Sequence, residues 1–115
     1  MKFSFIKETR KWVVDTFGKE SILNKKIRNE RFLEECLELV QSCNMTKEDA
    51  SKILDYVYSR PKGKMEQEVG GVMVTFAAHA SCYNYDPDFC GKLEIARCWK
   101  KQEEIRQKNS EKPNL

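Results

Sequence analysis

The sequence predicts an all-α fold, a compact bundle of four or five helices read as one domain over residues 1–115. Three observations carry that expectation. No run of alternating β-branched residues marks a strand. Apolar residues recur at helical spacing along most of the chain. Cap signals stand where helices would begin, at Thr46 before Lys47-Glu48-Asp49 and at Asp86 before Pro87. With 40% hydrophobic and 34% charged residues, the chain has enough apolar material for one core and too much for disorder.

Phe5 to Phe17 reads as the first helix, interrupted by Gly18. A long amphipathic segment follows from about Ile22 to Cys43 and ends near Asn44. Thr46 opens a short helix to about Ser59, and Arg60-Pro61-Lys62-Gly63-Lys64 reads as a loop. Glu66 to Cys82 forms a further helix, apolar nearly all round, and a helix of that kind is normally buried. Gly70 and Gly71 each cost about 1 kcal/mol of helix propensity. Both make sense if another backbone or a ligand comes very close. Asp86 opens a last helix to about Lys108, and the tail from Asn109 to Leu115 is expected to fray.

The net charge is +3, unevenly spread. Residues 1–31 hold nine basic and four acidic side chains, residues 32–59 two and six, residues 92–115 seven and four. An acidic middle between basic ends suits a cation site that also holds an anionic ligand. A nucleic-acid binder usually carries a stronger excess on one continuous face. No nucleic-acid partner is therefore expected, and a helical nucleic-acid-binding or regulatory module using the basic ends is the alternative. The longest uncharged apolar stretch, Val69 to Ala80, falls well short of the roughly 20 residues that span a bilayer, so no membrane partner is expected. Charge at Lys2, Lys7 and Glu8 breaks any signal-peptide core. The expected location is the cytoplasm, where the five cysteines stay reduced. Cys36 and Cys43 are read as small core residues. His79 with Cys82, Cys90 and Cys98 has only one pair at a spacing that structural zinc favours.

The carboxylates need explaining. With Glu34 placed at 0° on a helix, Glu38 falls at about 40° and Glu35 at about 100°. Leu33, Cys36, Leu37, Val40 and Cys43 fill another face. Like charges at i,i+4 destabilise a helix, and no Lys or Arg at 39, 41 or 42 offsets them. A solvated acidic face accounts for this segment alone. Glu68 adds a fourth acid, at the start of the most apolar helix, where a carboxylate must be paired, hydrogen-bonded or metal-bound. Oxygen-only donors from two helices suit Mg²⁺ or Mn²⁺.

Glu34-Glu35-x-x-Glu38 followed by a helix bearing Glu68 resembles the all-α MazG-type NTP pyrophosphohydrolases, whose pattern is E-E-x-x-E and then E-x-x-D. Arg31 to Glu35, Arg60-Pro61-x-Gly63, Glu68 to Thr75 and Ile105-Arg106-x-Lys108 are similar to one branch, the phage-associated dATP/dGTP diphosphohydrolases. The resemblance covers about residues 28–112. It implies a MazG-like fold, a homo-oligomer (dimer or tetramer), and hydrolysis of a (d)NTP, a purine dNTP such as dGTP or dATP, to monophosphate and pyrophosphate. Glu35, Glu38 and Glu68 would hold the divalent cations, and Glu34 would complete the shell or orient water. If the chain is phage-encoded, the host cytoplasm is its compartment. One position departs from the family pattern: Gly71 stands where the family has Asp, and Asp55 and Glu66 are the candidates to replace it.

The cations Arg60, Lys62 and Lys64 lie just before the Glu68 helix and suit a triphosphate clamp. Asn29 and Arg31 precede the acids on the same helix, within reach of base or phosphate. Arg97 and Lys108 are further phosphate candidates. Trp12, Phe32 and Trp99 are weighed as base-stacking groups against the commoner fate of core residues.

Overall fold

A computed structural model describes residues 3–113; the sequence readings at Met1 and Lys2 and at the last two residues of the tail lie outside the described residues. The described chain is all-helical, 81% helix with no strand. The helices are α1 (Phe5–Phe17), α2 (Lys19–Leu23), α3 (Lys25–Ser42), α4 (Lys47–Tyr58), α5 (Met65–Tyr83), α6 (Pro87–Lys100) and α7 (Gln102–Ser110).

The expected caps form. Thr46 Oγ1 accepts the Asp49 amide at 3.1 Å, and Asp86 Oδ1 accepts those of Asp88 and Phe89 at 3.0 and 3.4 Å. Asn44, at φ 70°, ends α3, with the Met45 amide returning to the Val40 carbonyl. Two long helices divide where the sequence reading runs on. Asn24 Oδ1 accepts the Ile27 amide at 3.1 Å, so Asn24 caps α3 and leaves Ile22 in the short α2. The last helix breaks at Lys101, and α7 extends to Ser110. Among the described residues, seven helices therefore stand where four or five are expected.

Packing divides the chain into two units, residues 1–28 with 85–115 and residues 29–84. In the first, Trp12 and Val13 of α1 meet Ile95 of α6, with Phe17, Ile22, Cys98, Trp99 and Ile105 around them. A methyl on Gly91 would sit 3.0 Å from the Phe5 ring, so α1 approaches α6 closely there. Polar contacts clamp the end of α1. Gln102 donates to the Asp15 carboxylate and the buried Thr16 hydroxyl at 2.7 and 2.9 Å. Arg106 donates to the Thr16 and Asp15 carbonyls at 2.8 and 3.2 Å, which suits a cation at a helix C-terminus.

The second unit is organised otherwise. Helices α3, α4 and α5 pack only sparsely on one another, and Ala80 is the one buried side chain described in them. The apolar α5 is exposed, not buried as its composition predicts: Val69 is 57% accessible and Met73 63%. Cys36 is likewise exposed and Cys43 half-buried, so neither is a core thiol of this chain.

Because the first unit's core is small, losing one anchor is expensive. Ile95→Ala should cost about 2–4 kcal/mol in denaturant unfolding. Leu93→Ala, two residues away on the same helix but 57% exposed, should change stability by less than about 0.5 kcal/mol.

Candidate functional site

The acidic set begins on α3, an uninterrupted helix of 18 residues without Gly or Pro, which fixes the spacing of Glu34, Glu35 and Glu38. Arg31 Nη1 stands 3.5 Å from Glu34 Oε1, one turn away, with both side chains partly buried. Arg31, expected at base or phosphate, thus faces a carboxylate of the set. The Cys36 thiol is pushed above its ordinary value, by partial desolvation first and by the negative Glu35 second. Glu68 lies in the first turn of α5 together with Glu66, where the helix dipole favours an anion. Its carboxylate folds back over the preceding loop: a methyl on Gly63 would stand 3.2 Å from Glu68 Oε1.

Glu34, Glu35, Glu38 and Glu68 do not converge. Among the described residues, no three His, Cys, Asp or Glu side chains group closely enough to hold a metal ion. Asp55 and Glu66 fall under the same finding. Glu68 and the α3 acids lie on helices that pack only sparsely on one another. A single chain therefore does not fit a divalent ion with this donor set.

The remaining candidates are scattered. Arg60 lies over the Tyr56 ring at 4.3 Å, and Lys62, Lys64 and Asn29 are exposed. Arg97, expected at phosphate, instead grips Glu94 through two bonds of 2.8 and 2.6 Å. Trp99 donates to Glu8 at 3.0 Å and Trp12 is buried in the first unit's core, so both serve packing; Phe32 is exposed. His79 stacks on Tyr83 with ring centres 4.6 Å apart.

One feature escaped the sequence reading. In the first unit, Lys7, Arg10, Lys11 and Lys19 line a shallow hollow of about 480 Å³ with Val14 and Asp15. The signal was available. Residues 7, 10, 11 and 14 follow the i, i+3, i+4, i+7 spacing of one helix face, but a block count of charge does not register a face. Compared with protein-family models, curated protein sequences and solved structures, the chain matches none of them.

The Glu94–Arg97 pair has a pH signature. Arg97 hydrogen bonding holds the Glu94 carboxyl below its ordinary value, outweighing the opposing desolvation. A depressed carboxylate contributes stability above its unfolded value, near 4.3, and loses that stability as pH falls through the lower folded one. Both side chains are more than half exposed, so the effect is a few tenths of a kcal/mol at most. Glu94→Gln should melt slightly below wild type at pH 7, and the difference should close by about pH 3 in paired thermal scans.

Proposed function

We propose that this chain is a cytoplasmic, metal-dependent nucleoside triphosphate diphosphohydrolase. It converts a (d)NTP, with purine dNTP preferred, to the monophosphate and pyrophosphate, and it works as a homo-oligomer. The observation that carries this reading is the carboxylate arc of α3. Three acids share about 100° of one rigid helix, one of them beside Arg31, and a fourth opens the apolar α5. Support comes from the ordered resemblance to the MazG type across about residues 28–112 and from the cationic loop Arg60–Lys64 beside Glu68. Acceptor-only carboxylates match Mg²⁺ or Mn²⁺, the cofactor this reaction requires. The set holds no Ser, Cys or His nucleophile, so water attacks the phosphorus. Lys62 and Lys64 attract the polyphosphate, and Arg60 offers it a planar two-point contact.

A second reading rests on the cationic hollow of α1, whose Lys7, Arg10, Lys11 and Lys19 suit a polyanion. A helical nucleic-acid-binding module would show log affinity for a DNA fragment falling linearly with log salt. It would show no nucleotide hydrolysis.

Incubation with each NTP and dNTP plus Mg²⁺ or Mn²⁺, followed by product identification, tests the proposal. Monophosphate with pyrophosphate, lost in excess EDTA, is expected; diphosphate with phosphate, or no reaction, contradicts it. Glu38→Gln should abolish turnover yet leave the metal-free protein as stable as before or slightly more so, because it relieves two repulsions on the arc. With saturating Mn²⁺ the wild type should become the more stable, since a ligand bound only by the folded state raises its melting temperature. Melts of both proteins in EDTA and in Mn²⁺ read both signs.

A further inference from the structure

Arg31, Lys92, Arg97, Lys101 and Arg106 each pair with a carboxylate three or four residues away along the chain. Lys7, Arg10, Lys11 and Lys19, which line the hollow on α1, form no ion pair among the described residues. Acids stand at the right spacing to neutralise them. Glu8 lies three residues before Lys11, and Asp15 lies four after Lys11 and four before Lys19. Both are drawn to other helices of the same unit. Glu8 accepts the Trp99 indole N–H at 3.0 Å, and Asp15 Oδ2 accepts the Gln102 amide at 2.7 Å. Trp99 and Gln102 are neutral donors, so the packing of α1 on α6 and α7 engages the carboxylates and leaves the cations unbalanced.

That arrangement works against α1 itself. Lys7 stands one turn before both Arg10 and Lys11, and like charges at those spacings destabilise a helix. It also sits in the first turn, where the helix dipole disfavours a cation. Gly18, at φ 95°, then redirects the chain, and Lys19 at the start of α2 joins the same hollow. A bound anion removes these penalties.

The lining selects among anions. A volume of about 480 Å³ lies in the range of small-ligand sites. The guanidinium of Arg10 offers two parallel donors to one phosphate, and the three lysines act as point charges. No aromatic ring lines the hollow, so a nucleobase finds nothing there to stack on. Asp15 and Glu8 fall about 80° and 100° round α1 from Lys7, which interrupts the basic face on that side. A nucleic-acid backbone needs a continuous one.

We propose that the α1 hollow is an anion site for a free oligophosphate, pyrophosphate or inorganic triphosphate, held by Lys7, Arg10, Lys11 and Lys19 without a metal ion. This site goes beyond the hydrolase reading and does not depend on it, because it uses none of the carboxylates of α3 and α5.

Calorimetric titration with inorganic triphosphate in EDTA, at low salt, tests it without any turnover. Wild type should bind one triphosphate per chain, and monophosphate at least about tenfold more weakly. The double variant Arg10→Gln, Lys11→Gln should lose at least about tenfold in affinity. The double variant Lys92→Gln, Lys101→Gln changes net charge equally but removes cations already paired, and should stay within about twofold of wild type. All four positions are exposed, so helical circular dichroism should be unchanged in both. No triphosphate binding, or equal losses in the two double variants, overturns the site. Displacement of triphosphate by a DNA fragment at equal phosphate concentration also overturns it, and favours the nucleic-acid module instead.

Discussion

Apolar side chains on α3, α4 and α5 stay accessible within the chain, whereas the first unit buries its own. Fully burying a Val, Leu or Phe side chain is worth about 1.5–3 kcal/mol. The second unit leaves Leu33, Leu37, Leu54, Val69 and Met73 about half or more exposed. The first unit solves its own problem: Trp12, Val13 and Ile95 are buried, and Gln102 and Arg106 close the polar end of α1 over them. One part of the chain is finished by its own contacts. The other leaves most of its apolar side chains accessible within the chain.

The candidate site inherits that division. Helix α3 sets Glu34 and Glu38 side by side at i,i+4 with Glu35 about 100° round, but among the described residues no third ligand joins any two of them closely enough to hold a metal ion. Convergence needs a second helix at the right level. Within one chain, Glu68 on α5 and the acids of α3 do not come together.

Much of the local structure was legible in the sequence because local physics decides it. Thr46, Asp86 and Pro87 mark helix starts through short-range hydrogen bonds and a fixed φ, and the structure uses all three. Asn24 was harder to read, since its cap competes with an amphipathic pattern that runs straight across it. The placement of α5 was not legible. An all-round apolar helix says that something covers it, not whether the cover belongs to the same chain. Periodicity gave the α3 acids their shared arc, but the position of Glu68 relative to them depends on tertiary packing, which no local pattern encodes. Arg97 was weighed as a phosphate contact from its type alone; Glu94, one turn before it, was the signal for a local ion pair. The cationic face of α1 needed only the helical spacing of Lys7, Arg10 and Lys11.

Hydrogen exchange as a function of protein concentration tests the central claim most directly, because it reads each helix separately. If a second copy covers the second unit, amides of α5 between Val69 and Ala80 should slow their exchange as concentration rises through the association range. Amides of α1 and α6 near Trp12 and Ile95 should keep a constant rate, their protection coming from within the chain. Protection of α5 that is the same at every concentration down to nanomolar, or absent at the highest, would contradict the account.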